Sequence, residues 1–109
     1  MNWKTLQTPA DLEALLRDSH SRPQVIFKHS TTCSVSQMAK SRLERETPPE
    51  GIDFYYLDLL AYRPLSQQIA TDLQVWHESP QVILVKAGAC IYDESHMGIR
   101  MDDIVEAAA

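Results

Sequence analysis

The stretch Val25–Ser36, VIFKHSTTCSVS, carries the pattern that decides the fold. It opens with a short β-branched and aromatic run, which is typical of a buried central strand. A polar turn over residues 29–32 follows, and Cys33 stands where a helical pattern begins. A cysteine at the start of a helix faces unpaired backbone N–H groups and the positive end of the helix dipole. Both favour the thiolate over the thiol, and the thiolate is the form that attacks disulfides.

Ser36 occupies the position three residues after Cys33, where a dithiol redox motif carries its second cysteine. The segment is therefore a single-thiol version of Cys-x-x-Cys. Because a serine cannot attack a mixed disulfide on Cys33, such an adduct should persist until another thiol resolves it.

Length and composition limit the classes of protein to consider. The 109 residues fit a single domain, residues 1–109, and the 44% of hydrophobic residues suffices for one compact core. Acidic residues outnumber basic ones by 15 to 10, which argues against a nucleic-acid partner. No apolar run approaches the length of a membrane span, and the N-terminus lacks the apolar core of a signal peptide. We therefore expect a cytoplasmic protein without a membrane partner.

Helix and strand signals alternate on both sides of this segment. They predict strands at residues 3–6, 25–27, 53–57, 81–85 and 90–92, and helices from Pro9 to near Ser19, over 34–46, from Pro64 and over 101–108. The order βαβαβαββα predicts an α/β fold: a mixed central sheet, mostly parallel with an antiparallel edge hairpin, and helices on both faces. A reactive cysteine that opens the second helix resembles the thioredoxin arrangement.

The helical patterns also predict which side chains are buried. The inward sets are Val35, Met38, Ala39 and Leu43 in the second helix, Leu65, Ile69 and Leu73 in the third, and Met101, Ile104, Val105 and Ala108 in the last.

Several segments resemble the YtxJ-type monothiol bacilliredoxins. The similar segments are residues 27–36 (the family's active-site segment), 56–64 (its third strand and following loop), 77–81 (its proline turn) and 95–99 (the segment before its last helix). The chain has Ser34 where family members often have proline, and serine still permits a helix start. The resemblance implies a thioredoxin-like domain that removes bacillithiol from mixed disulfides on cytoplasmic proteins.

The resemblance also implies a cis bond between Ser79 and Pro80, opposite the cysteine. In that arrangement backbone groups at Ser79 hold the partner chain by strand-like hydrogen bonds. The residues alone leave open a trans proline that begins a strand.

Hydroxyl and imidazole side chains near Cys33 have two interpretations each. The hydroxyls of Thr31, Thr32, Ser34 and Ser36 either donate to the sulfur or serve the loop and the helix cap. His29 and His77 either supply a cation beside the thiolate or are surface or hydrogen-bonded core residues. His96 has the same two interpretations, and the resemblance adds some weight to a role in the site.

The second cysteine, Cys90, is either a resolving thiol or an apolar packing residue of an edge strand. Two cysteines form no disulfide framework, and with scattered histidines they do not have the spacing of a metal site.

The sequence thus predicts a monothiol thiol–disulfide oxidoreductase with Cys33 as nucleophile, no bound cofactor and a small thiol, bacillithiol by resemblance, as co-substrate. The expected partners are proteins that carry mixed disulfides, and a small thiol or a separate reductase that clears Cys33. One alternative is a non-catalytic thioredoxin-like module that binds peptides at the Pro80 turn or senses redox state. Another is reduction of arsenate or peroxide, which ranks lower because only Lys28 and Lys40 offer cationic anchors near Cys33.

Overall fold

Five strands form one sheet in the computed structural model, which describes residues 1–109. The elements are β1 (Lys4–Thr5), α1 (Pro9–Asp18), β2 (Gln24–His29), α2 (Ser34–Glu44), β3 (Asp53–Asp58), α3 (Arg63–Asp72), β4 (Gln81–Lys86), β5 (Ala89–Ser95), a short 3-10 turn (His96–Gly98) and α4 (Met101–Ala108). The predicted α/β order is confirmed. None of the helices combines the length and apolar character that crossing a membrane requires.

The strand order is β1-β3-β2-β4-β5, with β2 at the centre. β1, β3 and β2 are parallel, whereas β4 runs antiparallel to β2 and β5 antiparallel to β4. The mixed sheet is confirmed, but its antiparallel part is larger than the edge hairpin. Residues 73–80 bring the chain back to the end of the sheet where β2 finishes, so β4 begins there, with Gln81 opposite Lys28. Alternation of helices and strands alone does not reveal this return.

Side chains of β2 alternate between two cores, one on each face of the sheet. Ile26 packs with residues of α1 and α3, including Leu12, Leu15, Leu65 and Ile69. Val25 and Phe27 pack with residues of α2 and α4, including Ala39, Leu43 and Ile104. Helices therefore cover both faces, as predicted, and the end of β2 lies between two packed layers.

Local signals set the first helix and the hairpin. Thr8 Oγ1 accepts from the Asp11 N–H at 3.1 Å and the Asp11 carboxylate accepts from the Thr8 N–H at 3.1 Å, a complete capping box. Ala87 and Gly88 join β4 to β5 with φ of +54° and +79°, the left-handed pair that a two-residue hairpin turn needs.

Two predictions of burial are wrong. Met38 is 52% exposed and Val105 is 40% exposed. In α2 the buried residues are Ser36, Ala39 and Leu43. The polar residue Ser36 is therefore buried, whereas Met38, which the apolar pattern predicted to be buried, is exposed. In α4 only Met101 and Ile104 are buried, and Ala108 is half-buried.

Candidate active site

Cys33 is the N-cap residue of α2, just beyond the end of β2. Its N–H donates to the carbonyl of Ser30 at 3.2 Å, and its own carbonyl accepts from the Gln37 N–H at 3.0 Å. These bonds close the turn and begin the helix. The side chain is half-buried, makes no capping hydrogen bond and is not part of a disulfide. The sulfur therefore lies at the positive end of the α2 dipole, within reach of solvent.

The Ser79–Pro80 bond is cis, as the resemblance implied. Pro80 directly precedes Gln81, which pairs with Lys28 near the end of β2. The Pro80 carbonyl accepts from the His96 N–H at 3.0 Å. The Ser79–Pro80 turn (the proline turn), the loop of residues 30–33 that ends at Cys33, and His96 at the start of the 3-10 turn therefore meet at one end of the sheet.

No hydrogen bond joins the hydroxyls near Cys33 to its sulfur, and those of Ser36 and Thr32 contact other groups of the loop instead. Ser36 is completely buried, and its Oγ accepts from the Ser30 N–H at 3.0 Å and lies 2.6 Å from His29 Nδ1. Thr32 Oγ1 lies 3.4 Å from Ser30 Oγ. Thr31 and Ser34 are exposed to solvent.

A sequence model of the family described as monothiol bacilliredoxin BrxC matches residues 4–104. The chain belongs to this family. Among solved structures, a proposed oxidoreductase with a thioredoxin fold is 27% identical, with a TM-score of 0.85 over 96% of this chain and 92% of that one. Family and fold together make the chain a member of a thioredoxin-like class of thiol oxidoreductases.

Two thioredoxins show the same fold at lower identity. That of Malassezia sympodialis is 16% identical, with a TM-score of 0.81 over 99% of this chain and 92% of that one. The thioredoxin of Fasciola hepatica is 20% identical, with a TM-score of 0.70 over 96% of this chain and 95% of that one.

In this bacilliredoxin the structure supports the hydrogen-bonded interpretation of His29 and His77 over the cationic one. Burial, followed by the charge of Lys40, lowers the pKa of His29. Burial, followed by the charge of Lys28, lowers the pKa of His77. Both rings are therefore neutral at pH 7. His29 instead stacks on Phe27, with ring centroids 5.6 Å apart, and holds Ser36.

His96 adopts a left-handed backbone conformation beside the proline turn, with φ of +55°. Its carbonyl accepts from the Arg42 guanidinium at 3.3 Å, and its Nε2 lies 3.6 Å from the Glu78 carboxylate. Arg42 also donates to the Ile99 carbonyl at 3.1 Å, so α2 is tied to the segment that borders the turn. Sequence reasoning missed the role of Arg42, because it depends on contacts between segments far apart in the chain.

Cys90 is half-buried in β5, and its Sγ donates to the Tyr92 carbonyl at 3.5 Å. Burial raises the pKa of this thiol. Cys90 pairs with Val85, four strand positions from Gln81 and hence roughly 13 Å along β4 from the end that carries the site. This position supports the packing interpretation. No group of three or more His, Cys, Asp or Glu side chains is arranged to hold a metal ion.

Sequence reasoning also missed Lys28 as a structural member of the site. Its side chain is 0% exposed, and its Nζ donates to the Ser66 carbonyl at 3.0 Å and lies 3.2 Å from His77 Nδ1. The signal was present: a lysine continues the apolar run of a central strand, where both faces are covered.

Proposed function

We propose that this bacilliredoxin removes a small thiol, bacillithiol, from mixed disulfides on cytoplasmic proteins. The observation that carries the proposal is a half-buried free thiol at a helix N-terminus, with the buried hydroxyl of Ser36 at the +3 position. A thiolate at this position is an effective nucleophile, and the chain's other cysteine, Cys90, lies opposite Val85, away from the site.

The first step is a disulfide exchange. The Cys33 thiolate attacks the small-thiol sulfur of the mixed disulfide, a new Cys33–small-thiol disulfide forms, and the old S–S bond breaks. The client cysteine leaves as a thiolate and takes a proton from solvent. The client is then reduced, and Cys33 carries the small thiol.

The second step needs a thiol from outside the chain. A second molecule of the small thiol attacks its counterpart on Cys33, which releases the Cys33 thiolate and a symmetrical small-thiol disulfide. A separate reductase that supplies two electrons would clear Cys33 equally well. The roughly 13 Å along β4 between the site and the level of Cys90 supports an external resolving thiol.

The proline turn is the proposed docking edge for the client. Ser79 is half-buried next to Pro80, at the end of the sheet that also carries Cys33. In the proposed complex, the client segment around its modified cysteine lies along the Ser79 backbone and forms strand-like hydrogen bonds. This arrangement brings the mixed disulfide to the Cys33 sulfur.

The test uses a client protein modified by bacillithiol at a single cysteine. Intact-mass measurements should show loss of the modification with the wild-type protein and with Cys90→Ser, and no loss with Cys33→Ser. Cys33→Ser activity equal to the wild type would contradict the mechanism. Peptide binding by a Cys33→Ser protein, combined with no catalysis by the wild type, would favour a non-catalytic binding module.

A further inference from the structure

Lys28 buries a positive charge without a carboxylate partner. Its Nζ has two neighbours, the Ser66 carbonyl and His77 Nδ1, and none of the ion pairs of the chain includes it. Burial lowers the pKa of Lys28 to about 8, so the ammonium form still predominates at pH 7. Burying a charge without an ionic partner costs free energy. Stability alone therefore does not account for a lysine at this position.

The ammonium group determines where the proton of His77 lies. A protonated lysine donates hydrogen bonds and accepts none. His77 Nδ1 therefore accepts from Lys28, and the ring carries its proton on Nε2. Ser66 Oγ, 3.3 Å from the same nitrogen, is a second possible donor.

Burial and three charged groups set the charge of the His77 ring. Burial has the largest effect in lowering its pKa, followed by the charge of Lys28 on β2. Glu78, in the same loop, opposes the lowering, and Arg63, at the start of α3, adds to it. The balance keeps the ring neutral at pH 7 and able to accept from Lys28.

His77 lies two residues before Ser79, in the loop that leads into the cis bond. The Gln81 side chain forms two hydrogen bonds with the same loop. Its Nε2 donates to the Trp76 carbonyl at 2.9 Å, and its Oε1 accepts from the Glu78 N–H at 3.4 Å. Gln81 is also the strand partner of Lys28. β2, α3 and the loop before the turn thus meet at the buried ammonium of Lys28, which the exposed residue His77 contacts through Nδ1.

We propose that Lys28 is a positioning residue of the exchange site: its buried ammonium holds His77 as the Nε2–H tautomer and thereby fixes the Ser79–Pro80 turn against the strand that leads to Cys33. The kinetic consequence rests on the proposed function, because the turn is the edge on which the client docks. Lys28 makes no hydrogen bond with Cys33 and acts through His77.

The first test needs no variant. Two-dimensional ¹⁵N–¹H spectra of the imidazole rings distinguish the two neutral tautomers. At pH 7 we expect the Nε2–H tautomer for His77 of the wild-type protein. A proton on Nδ1 would overturn the proposal.

The second test compares Lys28→Met with Lys86→Met. Lys86 also donates to a backbone carbonyl, that of Ala108 at 3.3 Å, but lies at the far end of β4. We expect Lys28→Met to lose the single tautomer of His77 and to slow exchange with the bacillithiolated client about tenfold, while Lys86→Met keeps both properties.

Reaction of Cys33 with iodoacetamide provides the matched readout, because this small reagent does not use the turn. In Lys28→Met its rate should stay within about twofold of the wild type. Wild-type exchange in Lys28→Met, or an equal fall in both rates, would overturn the positioning role. Either result leaves the dependence of exchange on Cys33, and with it the proposed function, intact.

Discussion

Lys28 and His29 are neighbours in β2, yet they bury polar groups on opposite faces of the sheet. His29 meets Ser36 of α2, with 2.6 Å between Nδ1 and Oγ. Lys28 meets Ser66 of α3 and the ring of His77. Because successive strand side chains alternate, one dipeptide ties both halves of the site, the Cys33 segment and the proline turn, to the central strand.

The two sides differ in charge. The His29 side is neutral, and the Ser36 hydroxyl both accepts from Ser30 N–H and bonds His29. We expect these hydrogen bonds to stabilise the fold, because removing one partner would leave the other polar groups buried and unsatisfied. The Lys28 side carries a charge with neutral partners only, and we expect it to lower stability. The comparison therefore predicts opposite changes in folding stability when the Lys28 ammonium and the Ser36 hydroxyl are each removed.

The largest expected effect is the pH-dependent stability of Lys28→Met. Since folding lowers the pKa of Lys28 from 10.5 to about 8, the unfolded chain binds the proton more tightly than the folded one. Below pH 8 this difference costs the wild type about 3 kcal/mol, and the cost disappears as the pH rises from 8 to 10.5. Lys28→Met should be at least as stable as the wild type at pH 7, with an advantage that shrinks across this window. Urea unfolding at three pH values measures it, with Lys86→Met as the control.

Ser36→Ala should have the next largest effect, in the opposite direction. It leaves the Ser30 N–H and His29 Nδ1 buried without their partner, which we expect to cost about 2 kcal/mol of unfolding free energy. Ser41→Ala, on an exposed position of the same helix, should change stability by less than about 0.5 kcal/mol. Equal losses in the two variants would refute a stabilising role for the His29 side.

Acid should lower the stability of the fold through both His29 and His77. The pKa values of His29 and His77 are lowered, so the folded protein takes up these protons less readily than the unfolded chain. Stability should therefore fall as the pH decreases below about 6.5. Proton NMR titration should place both rings below their usual range. A ring that titrates at or above about 6.5 would contradict its neutral, hydrogen-bonded role.

Thr32→Ala should have the smallest effect. Thr32 is exposed, and its hydroxyl lies near Ser30 Oγ, without a hydrogen bond to the sulfur. Exchange with the bacillithiolated client should stay within about twofold of the wild type. A loss comparable to that of Cys33→Ser would show that this hydroxyl serves the thiolate directly.

Local rules predicted much of this fold. The capping box at Thr8, the hairpin at Gly88 and the helix start at Cys33 each depend on a few adjacent residues. The cis Pro80 bond followed from family resemblance alone. Burial of Met38 and Val105 was predicted from apolar periodicity and is wrong. In α2 the buried position belongs to Ser36, whose hydroxyl has partners, and in α4 only Met101 and Ile104 are buried.

The remainder of the site depends on specific side-chain pairings, and those of Lys28 join residues that are distant in sequence. Ser36 is buried with its hydroxyl oxygen accepting from the Ser30 N–H and bonded to His29 Nδ1. Lys28 is buried with its ammonium beside the Ser66 carbonyl and His77 Nδ1, which accept from it. The direction of β4 likewise depends on the route of residues 73–80 across the fold. Composition and periodicity do not encode these pairings. The sequence therefore predicted Cys33 as the nucleophile and Ser36 and His29 as candidate supporting residues, but not their mutual contact or the contacts of Lys28.

The most direct measurement locates the small thiol on the protein after one turnover. The reduced protein is mixed with the bacillithiolated client, quenched over time and mapped by peptide mass. We predict one adduct, on Cys33, that persists until free thiol is added. An adduct on Cys90, or a rapid internal disulfide between Cys33 and Cys90, would contradict the single-thiol account.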